Sequence, residues 1–225
     1  MRPPAADPVR KASAARRLIA ALVLAIAVVP VVVAAASPLQ ASRDAVWILG
    51  GMAGVVALAL LFLQPILMSG LLPQLRAATR RRWHRLVGSA VVVLVLAHVL
   101  GLYLTSPEDI TDALLLVSPT PFAVYGVMGL VAVLLTGCLA AFRKRLSLRV
   151  WRIGHLALAA VIAVGSIVHA VLIEGVMGEL SKLALCLAVG VATAAVILKT
   201  MAGARRSPDR PAPALWTGSG GPPTS

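Results

Sequence analysis

The chain has 225 residues, 60% of them hydrophobic and 13% charged, with a mean hydropathy of +0.94 and a formal net charge of +13. That balance excludes an ordinary soluble domain and describes an integral membrane protein, and the unbroken apolar runs exclude a β-barrel, whose strands alternate. Nucleic acid is not the partner that the charge implies, because the cations flank apolar runs, where they orient a protein in a bilayer and face anionic lipid.

Residues 1–16 form a basic N-terminal segment. Six runs that follow are long enough to cross about 30 Å of hydrocarbon, at 17 to 36, 45 to 70, 84 to 104, 121 to 142, 151 to 173 and 180 to 202. The first also has the build of a signal peptide, with a basic start, an apolar stretch from Leu18 to Val33 and the small residues Ala34, Ala35 and Ala36. Its length exceeds a usual signal core and favours retention. Pro30 and Pro65 fall inside the first two spans and should kink them, Pro119 and Pro121 mark the entrance of the fourth, and Gly203 closes the sixth. Residues 203–225 read as a disordered cytoplasmic tail, since Pro, Gly and Ser dominate from Ala204 to Ser225. The expected fold is an all-α membrane protein, a six-helix transmembrane bundle with both termini in the cytoplasm.

The loops support that orientation. With the N-terminus inside, every Lys and Arg except Arg43 and Lys182 falls on the inner side, and every acid except Asp7 and Asp209 on the outer side. The high Ala, Val and Arg content is compatible with a multi-pass protein of a bacterial inner membrane.

All four histidines lie in or at the edge of the third and fifth runs, His84 and His98 in one, His155 and His169 in the other, each pair fourteen residues apart. Fourteen helical residues return to within roughly 40° of the starting direction and climb about 21 Å, so each pair occupies one helix face. The two runs cross in the same direction. His84 and His155 then share one depth and His98 and His169 another, and each depth offers two imidazoles to the iron of one heme. Both axial positions are filled in that arrangement, which suits electron transfer rather than oxygen activation. A weak repeat accompanies the histidines, since Trp83-His84 and Trp151-Arg152-Ile153-Gly154-His155 both open an apolar helix from an arginine cluster.

Other residues fit around such ligands. Gly88, Gly101 and Gly165 lie three or four positions from a histidine and would clear room for porphyrin packing, or else permit close helix contact. Arg81, Arg82, Arg85 and Arg152 fall at the depth where an inner heme presents its propionates, a placement that topology also explains. Tyr103 could donate to an outer propionate. Cys138 and Cys186 show no paired spacing and read as small core residues, and no nucleophile arrangement is present. The rival from another class is a non-redox protein such as a divalent metal transporter lined by the same imidazoles. The 21 Å between levels and the lack of intramembrane carboxylates weaken it.

The run Trp83-His84-Arg85-Leu86-Val87-Gly88 leading to His98, with Leu148-Arg149-Val150-Trp151-Arg152 leading to His155 and His169, resembles the ferric reductase-like transmembrane domain. That superfamily includes ferric reductases, NADPH oxidases and the bacterial heme-binding membrane subunit of the methionine sulfoxide reductase system. The resemblance covers residues 17 to 202. It implies an oxidoreductase component holding two b-type hemes, by His84 with His155 and by His98 with His169, with electrons moving outward from the cytoplasmic side. No Gly-rich dinucleotide fingerprint for FAD or NAD(P) occurs. A separate flavoprotein reductase docking on the basic loops, or a membrane quinol, is therefore the expected donor. Ferric complexes drawn to Glu108, Asp109, Asp112 and Glu174, oxygen, or an extracytoplasmic protein are the expected acceptors.

Overall fold

A computed structural model describes residues 8–72 and 75–205 of the chain. Seven α-helices follow one another among them: α1 (Pro8–Ala35), α2 (Ala45–Ser69), α3 (Ala77–Thr105), α4 (Pro107–Leu114), α5 (Pro121–Ala141), α6 (Leu148–Leu172) and α7 (Glu179–Arg205). All but α4 are long and apolar enough to cross a membrane, and no strand occurs among the described residues. The chain is thus a multi-pass helical membrane protein. Pro30 and Pro65 lie inside continuous helices. Residues 1–7 and the expected tail beyond Arg205 lie outside the described residues.

The six spans fall where hydropathy puts them, but several helices outrun their apolar stretch. α3 starts at Ala77, before the run beginning at 84, because arginine is a good helix former and can keep its head in water while its stem lies along the helix. α7 likewise continues two residues past Gly203. The short α4 was not foreseen inside the 105–118 connection. Its start has a local cause: Pro107 opens it, and Glu108 and Asp109 stand in the first turn, where negative charge suits the exposed N–H groups. Elsewhere, Asp44 caps α2 by accepting from Val46 N at 2.7 Å, Gly70 ends α2 at φ 87°, and Ser147 caps α6.

α2 and α3 form one closely packed antiparallel pair, and α5 and α6 form another. α1 and α7 pack against α2, and α7 also against α6. The main core joins Ala27 and Ala34 of α1, Leu58, Phe62 and Ile66 of α2, Ala163 of α6, and Leu185, Cys186 and Val189 of α7. Cleavage after Ala36 would strip Ala27 and Ala34 from it. Cys138, expected in the core, instead lies exposed on α5, where an apolar thiol suits lipid as well as protein. Lys182 is the one buried charged residue among those described. It pairs with Glu179 at 2.8 Å and donates to Ile173 O at 2.9 Å, so its charge is matched while it ties the end of α6 to the start of α7.

Alternation of the spans gives the bundle a basic end, holding Arg76 to Arg85, Arg143 to Arg152 and Lys199, and an acidic end, holding Asp44, the acids of α4, Glu174 and Glu179.

Candidate functional site

α3 and α6 carry the histidines. Their backbones make little direct contact, α3 resting on α2 and α6 on α5 and α7. Their imidazoles nevertheless meet in the order expected of two helices running the same way. Near the basic end, the His84 and His155 rings lie 6.0 Å apart between centroids at 74°. Toward the acidic end, the His98 and His169 rings lie 6.4 Å apart at 80°. All four are half-buried.

At the acidic level, backbone holds the rings. His98 Nδ1 lies 2.8 Å from Gly50 O on α2, and His169 Nδ1 lies 2.9 Å from Phe122 O on α5. A carbonyl only accepts, so each Nδ1 carries the proton and donates it. Each Nε2 is then left with its lone pair, as a metal ligand requires. One turn further along the supporting helix stands a glycine. A Cβ on Gly54 would lie 2.8 Å from His98 Nδ1, and one on Gly126 would lie 2.7 Å from His169 Nδ1. No other residue type fits there while the ring stays in place. Phe122 adds an edge contact to His169 at 5.9 Å.

At the basic level, side chains replace backbone. Trp151 stacks on His155 at 5.3 Å and 7°, and the Arg143 guanidinium lies over the Trp151 ring at 4.8 Å. Gln64 of α2 donates from Nε2 to His84 O at 3.2 Å. His84 Nδ1, Gln64 Oε1 and Trp151 Nε1 are buried with no hydrogen-bond partner in the protein. Three such atoms along one chain of contacts are unusual, because unpaired buried polar groups cost roughly 1–3 kcal/mol each.

Of the two roles weighed for the glycines in the sequence, close helix contact is visible at Gly101 and Gly165. A Cβ on Gly101 would sit 2.8 Å from Gly50 Cα, and one on Gly165 would sit 3.0 Å from Tyr125 O and 3.1 Å from Gly129 N. Gly101 and Gly165 therefore let α3 touch α2 and α6 touch α5, and the clearance beside the rings belongs to Gly54 and Gly126. A Cβ on Gly88 would lie 3.2 Å from Gln64 Nε2. Arg81, Arg82, Arg85 and Arg152 are exposed at the basic end, and none has a hydrogen bond or ion pair among the described residues. Tyr103 is also exposed. Gly54, Gly126, Gln64 and Arg143 escaped sequence reasoning. The signal for the two glycines lay in α2 and α5, helices without a histidine.

Among known protein families, that described as the ferric reductase like transmembrane component matches residues 49–166, just over half of the chain. The match spans three of the four histidines and ends three residues before His169. No curated protein and no solved structure matches the chain.

Proposed function

The chain belongs to the ferric reductase-like transmembrane family, and on that premise we propose that it moves electrons across the bilayer through two hemes, held by His84 with His155 and by His98 with His169. Membership itself points to transmembrane electron transfer in a family that typically binds heme. The observation that carries the finer reading is the spacing of the rings. Two metal–imidazole bonds of about 2 Å plus two ring radii of about 1.2 Å put the centroids roughly 6.4 Å apart on opposite sides of one metal ion. The two pairs measure 6.0 and 6.4 Å. Packing alone has no reason to repeat that distance at two levels of the same two helices.

Heme, when bound, would supply reversible one-electron chemistry. The chain's own residues then have separable tasks. The four imidazoles ligate. The carbonyls of Gly50 and Phe122 fix which nitrogen of His98 and His169 is free, and Gly54 and Gly126 leave room for those rings. Trp151 covers His155, and Arg81, Arg82 and Arg85 offer positive charge to carboxylates at the basic end.

The loop charges support the basic end, and both termini, lying on the cytoplasmic side of a plasma membrane. Electrons then enter from that side and leave at the acidic end, with residues 17–202 as the heme-binding unit between a basic N-terminal segment and a C-terminal tail. A separate flavoprotein reductase with an acidic face suits the arginine-rich end as donor, and a quinol is the alternative. At the other end the acids of α4 suit a ferric complex or another cationic acceptor, with oxygen or an extracytoplasmic protein as the other choices. A histidine-lined divalent metal transporter would gather several ligands at one point. Among the described residues no group of three or more His, Cys, Asp or Glu side chains does so.

The test is heme per polypeptide, measured in the purified protein and in His98→Ala. Two hemes falling to one, with a reduced spectrum still present, is the expected result. Colourless wild-type protein after expression with ample heme supply, or an unchanged heme count in the variant, would end the proposal.

A further inference from the structure

A cavity of about 570 Å³ opens at the basic end between the last turns of α2 and α7 and the first turns of α6, lined by Met68, Ser69, Arg152, Val196, Lys199 and Thr200 among others. Among the described residues no histidine lines it, and neither does any acid. Its polar inventory is one-sided. Ser69 Oγ donates to Ile66 O, and Thr200 Oγ1 donates to Val196 O, so both hydroxyl protons are engaged within their own helices. Lys199 Nζ gives one bond to Ser69 O at 3.0 Å, which satisfies a terminal carbonyl of α2 and leaves two of its three donors. Arg152 is exposed and keeps all its donors, with no acid or carbonyl engaged among the described residues. Two permanent cations from two helices thus face one space, and among the described residues no acid lines it.

We propose that this cavity binds the phosphate group of an anionic phospholipid from the leaflet at the basic end. The chemistry selects an anion rich in acceptor oxygens, for which the arginine fork and the compact lysine charge are complementary binders. Position selects the lipid. The cavity lies where three spans end, the depth at which headgroup phosphates lie, and Met68 and Val196 give it an apolar wall against which the glyceride end can rest. Basic pockets between helices on the cytoplasmic side are a recurring form of headgroup recognition. This site takes Arg152 toward α2 and α7, a role separate from propionate binding. It stands whether or not the histidines hold heme.

Lipid extracted from protein purified in mild detergent, quantified by mass spectrometry, reads the site. About one anionic phospholipid per chain is expected with the wild type. Lys199→Gln should lower its retention about fivefold and Lys199→Gln with Arg152→Gln further, since each cation near a charged membrane surface is worth about that factor. Lys199→Arg should restore retention. Variants are compared only where elution and helical circular dichroism match the wild type, and the Lys199→Arg arm keeps the test decisive if the double variant fails to fold. Unchanged lipid stoichiometry in Lys199→Gln overturns the proposal, as does equal thermal protection by phosphatidylcholine and phosphatidylglycerol. Inorganic phosphate that protects the delipidated protein as well as phosphatidylglycerol does would overturn the lipid source and assign the cavity to a soluble phosphate.

Discussion

The two histidine levels sit on the same pair of helices with nearly the same ring spacing, yet they are supported in opposite ways. At the acidic level the supports are backbone atoms of neighbouring helices: Gly50 O and Phe122 O hold Nδ1, and the bare faces of Gly54 and Gly126 touch the rings. At the basic level the supports are Gln64, Trp151 and Arg143, all side chains, and His84 Nδ1 has no protein partner. Backbone supports move only when helices move. The acidic level is therefore tied to helix packing, whereas the basic level can be altered by single side-chain changes that leave the bundle intact.

The strongest way to break that contrast is Gly101→Val. Its Cβ would meet Gly50 Cα at 2.8 Å, a backbone atom that cannot rotate away, so α3 must lift from α2. Overpacking of this kind costs about 1–3 kcal/mol. His98, three residues away, would leave Gly50 O. The expected outcome is loss of the acidic-level heme alone, seen as half the heme per chain with the remaining spectrum intact. Equal loss from both levels would show that the two are not supported separately.

A smaller effect is expected at the rings themselves. Gly126→Ala places a methyl 2.7 Å from His169 Nδ1, and Gly54→Ala places one 2.8 Å from His98 Nδ1. Here the neighbour is the tip of a side chain and can turn, at the cost of its hydrogen bond, about 1–3 kcal/mol when the group stays buried. An imidazole that loses a carbonyl on Nδ1 becomes a poorer donor to a metal ion and stabilises the oxidised state less. The midpoint potential of the acidic-level heme should rise in both variants, with the other heme unmoved, as spectroelectrochemical titration would reveal. A fall in potential would reverse the role given to the carbonyls.

How much of this was legible in the sequence follows the same division. The spans, the parallel course of α3 and α6 and the pairing of His84 with His155 and His98 with His169 could be read directly. Hydropathy and the 14-residue spacing are properties of single helices, and counting spans fixes their relative direction. The supports could not be read, because they depend on which residues of α2 and α5 face α3 and α6. Glycine near a histidine in sequence was the visible signal, and it pointed to Gly101 and Gly165, which serve helix contact. Gly54 and Gly126 are near the histidines only in space. α4 was hidden for a different reason: eight residues are too few for a hydropathy run, and only the Pro-Glu-Asp start at Pro107 marks it.

At the basic level, Trp151→Leu removes the stack on His155 and the seat of the Arg143 guanidinium. Ring stacking contributes about 0.5–1.5 kcal/mol beyond area. The basic-level heme should therefore dissociate roughly three- to tenfold faster to a heme-scavenging protein, while the acidic-level heme exchanges as before. Identical exchange at the basic level would mean that Trp151 is only an interfacial aromatic.

The smallest effect expected is at Gln64, and its sign is the informative part. Gln64 Nε2 donates to His84 O at 3.2 Å, a bond worth about 1 kcal/mol, while Oε1 is buried without a partner at a cost of about 1–3 kcal/mol. Gln64→Leu removes both terms and keeps most of the volume. Heme-free protein should therefore melt slightly higher, by about 1 kcal/mol in stability. Gln64 Oε1 and His84 Nδ1 are both buried without a protein partner, so water admitted to the loaded site has an acceptor and an imidazole nitrogen to bond. The same substitution should then weaken heme retention at the basic level while it stabilises the empty bundle. If Gln64→Leu stabilises both forms alike, Oε1 has no role in binding, and the basic level depends on Trp151 and Arg143 alone.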